Sequence, residues 1–305
     1  MSEASTDVVI IGAGPAGIQA AIHASRKKTR VLMLGRIENS ALYAAHIENY
    51  ACIDGITDGK SLLEAGISQV HRFGTEVLPE DVLKINQNDN GLFILELESG
   101  REVLSHSLIF SMGVSKKKLA VPGEQKFLGR GVSYCVDCDA NFYRGATVMV
   151  AGNRSAAIDG ALTLLDYADK VYLTSKKIEG SSSLLKRLRE SDIELLEGTW
   201  VKEIHGENGV SEILLDNGNS IKVDGIFIEL GSKGALELAT RIGVALDTEH
   251  FKYIAVNRRQ ETNIPGVYAA GDIVGPPYQM AKAVGEGCVA GMEAATFARK
   301  QKRKS

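Results

Sequence analysis

The chain has 305 residues, of which 44% are hydrophobic and 24% charged, and its formal net charge is -3. This composition indicates a globular protein long enough for two domains, and it excludes a disordered chain and a strongly basic nucleic-acid-binding protein. No apolar run reaches the length of a membrane span, and residues 1–7 are polar and lack the apolar core of a signal peptide. Because four cysteines are too few for a secreted disulfide scaffold of this size, we expect a reducing, cytoplasmic location without a membrane partner.

The chain begins with the pattern of a dinucleotide-binding domain. A short apolar strand at residues 8–11 runs into the turn Gly12-Ala13-Gly14-Pro15-Ala16-Gly17, and an alanine-rich helix and a second strand at 31–34 follow. A strand, a GxGxxG turn, a helix and a strand within about 30 residues form the fingerprint of a Rossmann-like unit, whose helix N-terminus faces phosphates. One feature is missing, since the second strand ends at Gly35 and not at an acid that would bind ribose hydroxyls.

The second half of the chain repeats this pattern. An amphipathic helix is predicted at 60–74, and both halves then show a hairpin followed by a short strand. The predicted ranges are strands at 92–97, 102–104 and 108–111 in the first half, and strands at 147–150, 171–173, 213–215, 221–223 and 226–230 with helices ending near 167 and at 182–190 in the second. The repeat predicts an α/β protein with two dinucleotide-binding-type, Rossmann-like domains.

The C-terminal segment is predicted to return to the first domain. Residues 264–272 form a predicted strand that ends in Gly271-Asp272, and a long helix is predicted at 278–299. A carboxylate at a strand end, followed by a helix N-terminus, is suited to contact a cofactor. Because the second domain's hairpin and strand are complete at Gly231, this segment belongs to the first domain.

The resulting domain organisation is discontinuous. We expect one domain at residues 1–117 and 246–305, with an inserted domain at 118–245. The segment Gly129-Arg130-Gly131 is a candidate hinge, because two glycines flank a single side chain there.

The inserted domain contains a pair of cysteines, Cys135 and Cys138, followed at once by Asp139. Cysteines at this spacing form either a redox-active disulfide or half of a zinc site. A zinc site needs two further ligands at matching spacing, whereas Cys52 and Cys288 are isolated. The pattern therefore favours redox chemistry without a metal, and Cys52 and Cys288 are both expected to be buried as small hydrophobic residues.

Four stretches resemble the low-molecular-weight thioredoxin reductase family: GAGPAG at 12–17, GRGVSYCVDCD at 129–139, TNIPGVYAAGD at 262–272 and AVGEGCVA at 283–290. The resemblance covers almost the whole chain. It implies a homodimer with FAD in the discontinuous domain and the cysteine pair in the inserted one, and it tolerates Gly35. The residues that it implies in FAD binding are Gly12, Gly14, Pro15, Ala16, Gly17, Asn49, Gly113, Gly271, Asp272, Gln279 and Met280.

The resemblance also implies the chemistry of the cysteine pair. Reduced flavin would pass two electrons to the disulfide, with Cys138 facing the flavin and Cys135 attacking the disulfide of thioredoxin or a thioredoxin-like protein. Asp139 would protonate the leaving thiolate, the alternative being a helix N-cap or first-turn acid. A flavin-binding redox sensor without turnover is an alternative from another class, and the acid beside the pair argues against it.

The second turn departs from the family pattern. NADPH-using members carry GxGxxA there, whereas this chain has Ala151, Asn153 and Ala156 at the matching positions, and Ser175-Lys176-Lys177 where a His-Arg-Arg run is expected. With Gly275-Pro276-Pro277-Tyr278-Gln279, this turn resembles the pyridine-nucleotide-independent branch of the family. The loss of glycines predicts a degenerate nucleotide site.

The resemblance to that branch implies reduced ferredoxin as the electron donor. A reduced deazaflavin, a second flavin, or NADPH bound at a divergent turn remain alternatives. Ferredoxin is acidic and would dock on a basic patch. The candidates are residues 116–118, 26–28 and the basic C-terminal segment 299–304, each with the alternative of a solvated charged run.

Overall fold

The structure is a computed structural model that describes residues 6–114, 118–231, 234–249 and 251–303. The strands of the described residues are β1 (Thr6–Ile11), β2 (Val31–Leu34), β3 (His46–Ile47), β4 (Thr57–Asp58), β5 (Glu76–Leu78), β6 (Val82–Gln87), β7 (Phe93–Leu97), β8 (Glu102–Phe110), β9 (Val132–Ser133), β10 (Thr147–Ala151), β11 (Lys170–Ser175), β12 (Glu194–Glu197), β13 (Val201–Gly206), β14 (Val210–Leu215), β15 (Ser220–Lys222), β16 (Gly225–Ile228) and β17 (Val267–Ala269). The α-helices are α1 (Pro15–Arg26), α2 (Gly59–Arg72), α3 (Val136–Asp139), α4 (Ser155–Leu164), α5 (Ser182–Arg189), α6 (Ala235–Arg241) and α7 (Met280–Lys302).

The chain divides into two compact units. The first unit comprises Met1–Leu97, Arg101–Ser115 and Leu238–Ser305, and the second comprises Glu98–Gly100 and Lys116–Glu237. The division between the units therefore falls at residues 115–116 and 237–238, and the short segment 98–100 is also grouped with the second unit.

The segment Gly129-Arg130-Gly131 lies inside the second unit and not at its boundary, and the hinge there stays a prediction. The Arg130 N–H donates to the Phe127 carbonyl, and the Arg130 carbonyl accepts the N–H of Val210. A Cβ on Gly131 would lie 2.6 Å from the side chain of Val210. These contacts connect Arg130 and Gly131 to Val210, the first residue of β14.

The first unit is organised around a mainly parallel sheet. Its central order is β5-β2-β1-β8, and all three of these pairings are parallel. The C-terminal half of β8 also pairs with β17 in parallel, and its N-terminal half continues into the antiparallel β7 and β6. The two strands predicted at 102–104 and 108–111 are one strand, because β8 runs unbroken from Glu102 to Phe110.

The helices α1 and α7 pack closely against each other in this unit. A Cβ on Gly287 would lie 2.2 Å from the carbonyl oxygen of Ala16, and one on Gly291 would lie 2.3 Å from that of Ala20. Small residues at these positions allow the two backbones to approach. The contact anchors the long C-terminal helix to the helix that follows the glycine-rich turn, within the first compact unit.

The second unit repeats the architecture. Its parallel sheet has the order β12-β11-β10-β16-β9, and β13, β14 and β15 form a separate antiparallel sheet. The predicted hairpin corresponds to β14 and β15, whereas β13 was not predicted. The α/β class with Rossmann-like units is thus confirmed. No helix in the described part of the chain combines the length and the apolar character that crossing a bilayer requires.

Candidate active site

The turn between β1 and α1 is shaped by two glycines that no other residue could replace. Gly12 has φ +119°, and a Cβ there would lie 2.5 Å from the carbonyl oxygen of Ser111. A Cβ on Gly17 would lie 1.9 Å from the carbonyl oxygen of Gly12. Ser111 adds hydrogen bonds from its hydroxyl to the carbonyls of Ile11 and Gly12. These contacts hold the turn close to the C-terminal end of β8, the strand that pairs with β1.

Gly14 differs from these two glycines, because the protein does not require its small size. A Cβ there would meet only the Ser40 side chain, at 3.3 Å. Gly14 is the N-cap of α1, the helix has no side-chain cap, Pro15 occupies its first turn, and that turn contains no acidic residue. A free helix N-terminus beside an uncrowded glycine suits a phosphate, so the residues fit the pyrophosphate of a dinucleotide cofactor.

The structure brings further predicted cofactor residues to the N-terminal end of α7. The Asn49 amide donates to the Gln279 side-chain oxygen at 3.1 Å, and Met280 is the first residue of the helix. Gly271 has φ +88°, and a Cβ there would lie 3.1 Å from Ala16 Cβ, which places the strand end beside the glycine-rich turn. Gly113, at the end of the β8 segment, has φ +72° with open space where a Cβ would be.

A half-buried ion pair on α7 holds the backbone of Gly271. Glu286 accepts the Gly271 N–H at 2.9 Å, and Lys282 donates both to Glu286 and to the Gly271 carbonyl. Burial raises the pKa of the Asp272 carboxyl above its ordinary value, and the positive charge of Lys282 opposes this. The two residues of α7 thus fix the backbone at the residue before Asp272.

The absence of an acid after β2 has a structural explanation. Gly35 has φ +125°, a backbone conformation that an acidic residue adopts only with strain. A Cβ at Gly35 would lie 3.5 Å from the backbone of Ala13 and Gly12. The strand end therefore packs against the glycine-rich turn instead of presenting a carboxylate.

Cys135 and Cys138 form a disulfide in the second unit. Cys135 is the N-cap of α3, and its sulfur accepts the Cys138 N–H at 3.2 Å. A backbone N–H directed at a sulfur is the kind of contact that stabilises a thiolate. Among the described residues no group of three or more His, Cys, Asp or Glu is arranged to hold a metal ion.

Asp139 is the last residue of α3, and it does not cap that helix. Its Oδ2 lies 2.6 Å from the Ser133 hydroxyl, which also contacts the backbone of Cys135. The N-cap position of α3 belongs to Cys135, while Asp139 lies in its first turn, as the alternative reading of this acid predicted. Asp139 is also the N-cap residue of the 3-10 helix Ala140–Tyr143, without a side-chain capping hydrogen bond. Ser133 thus links the Asp139 carboxylate to the backbone of Cys135.

Sequence reasoning missed Glu229, a buried acid that contacts this segment. Glu229 follows β16, is 6% exposed, and its Oε1 accepts the N–H of Val136 at 3.3 Å. Glu229 thus contacts Val136, which lies between the two cysteines and is the first residue of α3. An acid at the end of an apolar predicted strand is the sequence signal that could have identified it.

Glu124, only 2% exposed, positions the residue before the cysteine pair. Its carboxylate accepts the N–H groups of Leu119 and Ala120 and the hydroxyl of Tyr134. Burial, and then the adjacent Glu124, raise the pKa of the Tyr134 hydroxyl, which therefore stays protonated and donates. One buried side chain joins the start of the second unit to β9 and the redox segment.

We expect Glu124→Gln to lower the free energy of unfolding by about 1–3 kcal/mol, because the amide group cannot accept all three hydrogen bonds and leaves buried donors unpaired. Urea unfolding monitored by fluorescence measures the change. The control is Glu207→Gln in an exposed turn of the same unit, which should change stability by less than about 0.5 kcal/mol. Equal effects of the two variants would contradict the role given to Glu124.

The turn between β10 and α4 is held by the chain's own groups. The Ala156 N–H in the first turn of α4 makes a long hydrogen bond of 3.4 Å to the Gly231 carbonyl. The Glu179 N–H donates to the Asn153 carbonyl at 2.8 Å, and the Glu179 carboxylate lies 3.8 Å from Arg154 Nε. A carboxylate therefore stands at the place where the fingerprint would receive phosphates.

The two cysteines outside the pair do not lie where we predicted. Cys52 is exposed, in a turn where its φ is +69°, and Cys288 in α7 is half-buried. The prediction that Cys52 is buried is wrong, because the segment around it is a surface loop and not an apolar element. Neither cysteine is disulfide-bonded.

The fold and the site define a class of protein: a disulfide oxidoreductase built from two Rossmann-like units, one with a cofactor-binding turn and one with a redox-active cysteine pair. A family model described as "Pyridine nucleotide-disulphide oxidoreductase" matches residues 6–287. The chain belongs to this family.

Individual relatives within this family confirm that the chain resembles thioredoxin reductases. The chain is 31% identical over 300 residues to the thioredoxin reductase of Bacillus subtilis (strain 168), covering 93% of this chain and 92% of the relative. The crystal structure of the atypical thioredoxin reductase TRi from Desulfovibrio vulgaris Hildenborough has a TM-score of 0.84 at 32% identity, covering 97% and 99% of the two chains. A ferredoxin-flavin thioredoxin reductase from Clostridium acetobutylicum gives 0.69 at 32% identity, with the same coverage. The protein is accordingly an enzyme of thioredoxin reductase type, a flavin disulfide oxidoreductase.

Proposed function

We propose that the protein is an FAD-dependent thioredoxin reductase whose electron donor is reduced ferredoxin and not NADPH. The observation that carries the choice of donor is the contrast between the two fingerprint turns. Both helices lack a side-chain cap, but only at the second turn do the chain's own groups occupy the site: Gly231 accepts the Ala156 N–H, and the Asn153 carbonyl accepts the Glu179 N–H. An arriving dinucleotide would have to displace these contacts.

The basic residues of the second unit are also engaged. Lys176 pairs with Asp216 and donates to the Gly198 carbonyl, and Lys177 lies 3.3 Å from Glu179. The side chains that were expected to attract a 2′-phosphate therefore carry their own counter-charges. The similarity to a structure described as a ferredoxin-flavin thioredoxin reductase supports the same conclusion.

Two of the candidate docking patches for ferredoxin are unsuited to electron transfer. Lys27 donates to Thr296 and Arg299 to the Lys27 carbonyl, so the basic residues at 26–28 and 299–303 lie together at the C-terminal end of α7. The predicted flavin contacts Gln279 and Met280 are at the other end of this helix, about 24 Å from Thr296 and about 29 Å from Arg299 at 1.5 Å per residue. Of the third candidate, Lys116 and Lys117 lie outside the described residues, as does Lys304 of the C-terminal segment.

The cysteine pair performs the reduction by thiol–disulfide exchange. Bound flavin supplies the electron pair that, with two protons, converts the disulfide into two thiols. The Cys135 thiolate, stabilised by the Cys138 N–H, attacks one sulfur of the thioredoxin disulfide, and the other sulfur leaves as a thiolate that Asp139 protonates. The Cys138 thiolate then attacks Cys135, which releases the second thioredoxin sulfur and restores the Cys135–Cys138 disulfide. Two electrons and two protons pass to thioredoxin.

Anaerobic titration of the flavin-loaded protein tests the proposed donor. We expect reduced ferredoxin to bleach the oxidised-flavin absorbance band and NADPH to leave it unchanged on the same timescale. Oxidised thioredoxin, added next, should restore the band and gain free thiols. Rapid bleaching by NADPH would contradict the choice of ferredoxin as donor. Bleaching only by a reduced deazaflavin would make the deazaflavin the donor in place of ferredoxin. Failure of the reduced protein to reduce any thioredoxin would favour a redox sensor.

Sedimentation of the same sample tests the homodimer that the family resemblance implies.

A further inference from the structure

Ser133 is a buried hydroxyl at the end of β9 that neither the resemblance nor the proposed chemistry uses. Its side chain lies beside the cysteine pair, and the residue is 4% exposed. Its Oγ is 2.6 Å from Asp139 Oδ2, 3.1 Å from the Cys135 nitrogen and 3.3 Å from the Cys135 carbonyl oxygen. One side chain thus joins the predicted acid to the predicted nucleophile.

The hydrogen-bonding capacity of a hydroxyl matches these three partners in two ways. A serine has one proton and two acceptor sites, and the Cys135 N–H always occupies one acceptor site. When Asp139 is ionised, Ser133 donates its proton to Oδ2. When Asp139 is protonated, Oδ2 donates to the second acceptor site of Ser133, whose own proton turns to the Cys135 carbonyl. Every group keeps a partner in both states.

We propose that Ser133 is a positioning residue that keeps Asp139 aimed at the redox pair in both of its protonation states. The inference rests on the proposed role of Asp139 as the acid of thiol–disulfide exchange. Such an acid loses a proton in each turnover and must regain it. A partner that can only donate, such as a lysine or a backbone N–H, would hold the carboxylate and oppose its reprotonation. A rotating hydroxyl serves both forms.

Other titratable groups face the same segment and bear on any pH measurement. Burial raises the pKa of Tyr143, and the Asp139 charge adds to that effect. The groups around Asp139 are Asp137 and Cys138 on α3, Tyr143 on the turn that follows, Glu229 after β16, and the buried Asp159 on α4, which packs against α3. All of them are retained when Ser133 is replaced, so a difference between variants isolates the hydroxyl.

The test uses the full-length flavin-loaded protein, pre-reduced with dithionite, and measures its single-turnover rate with oxidised thioredoxin. Ser133→Ala should lower this rate by about tenfold or more, a part of the 10²–10⁴-fold that general acid catalysis supplies. The pH dependence of this rate should also differ between Ser133→Ala and the unmodified protein, because a short hydrogen bond to the carboxylate is lost. Ser133→Thr, which keeps the hydroxyl, should retain the rate. Ser133→Val, which has the shape of the Thr variant without its hydroxyl, should lose the rate even if Ser133→Ala fails to fold.

Two comparisons separate this role from a merely structural one. A nitroaromatic disulfide releases a thiolate that needs no proton, so the Ala and Val variants should reduce it at the unmodified rate. In the background of Asp139→Asn, which itself should slow thioredoxin reduction, Ser133→Ala should have no further effect. Independent, additive effects of the two substitutions would overturn the inference while leaving the proposed function intact. Full activity of Asp139→Asn would overturn both the acid role and the inference.

Discussion

Replacing Cys135 with serine is expected to abolish reduction of thioredoxin, with a loss of at least about a thousandfold, because the covalent nucleophile is removed. The flavin content should not change, since the predicted cofactor residues lie in the other compact unit. Cys138→Ser should be equally inactive but should differ in one respect. It keeps the nucleophile at the N-cap of α3 and lacks the sulfur that resolves the mixed disulfide. It should therefore accumulate a covalent complex with thioredoxin, which non-reducing electrophoresis detects.

The exposed Cys52 provides the matched control. It is a free thiol outside the redox pair, so Cys52→Ser should turn over at the unmodified rate. Turnover retained by Cys135→Ser would show that Cys135 is not the nucleophile. A covalent complex trapped by Cys135→Ser but not by Cys138→Ser would exchange the roles given to the two sulfurs.

The periodic and glycine-rich parts of the fold were predictable from the sequence. Strands β1, β2, β10 and β11 are short apolar runs beside recognisable turns, so local pattern alone identifies them. Strand β13 (Val201–Gly206) carries charged and polar residues and is stabilised by pairing with β14, a non-local contact that no local pattern reveals. The same limit applies to the continuity of β8 and to the contacts of 129–131, since both depend on distant partners.

The candidate site shows the same division. The cysteine pair and the GxGxxG turn are local motifs, and the sequence identified them directly. Ser133 contacts Asp139 across six positions and Glu229 contacts Val136 across 93, so their significance appears only when the chain is folded. The exposure of Cys52 likewise follows from the surface loop that contains it, a property that residue type alone does not determine.

Two glycines of the same fingerprint are expected to fail in different ways when each is changed to alanine. In Gly17→Ala the added Cβ meets the backbone oxygen of Gly12 at 1.9 Å, so the turn must shift. We expect a loss of about 1–3 kcal/mol in stability, measured as a lower Tm without flavin, and loss of flavin binding as well. Gly14→Ala meets only the Ser40 side chain at 3.3 Å, at φ -85°, which alanine adopts freely. Its flavin-free Tm should be unchanged, while its flavin Kd should rise at least about tenfold because the methyl group stands where the pyrophosphate approaches.

The long C-terminal helix provides a glycine that should be harmless to change. Gly285 is exposed in α7, and a Cβ there would meet nothing within 4 Å. Gly285→Ala should therefore keep the flavin Kd and raise stability by up to about 1 kcal/mol, since alanine favours a helix over glycine. Calorimetry of the flavin-free proteins and fluorescence titration with FAD give both quantities for all three variants. An unchanged Kd in Gly14→Ala would show that the cofactor does not pass over this turn, whereas an unchanged Tm in Gly17→Ala would contradict the packing of the turn itself.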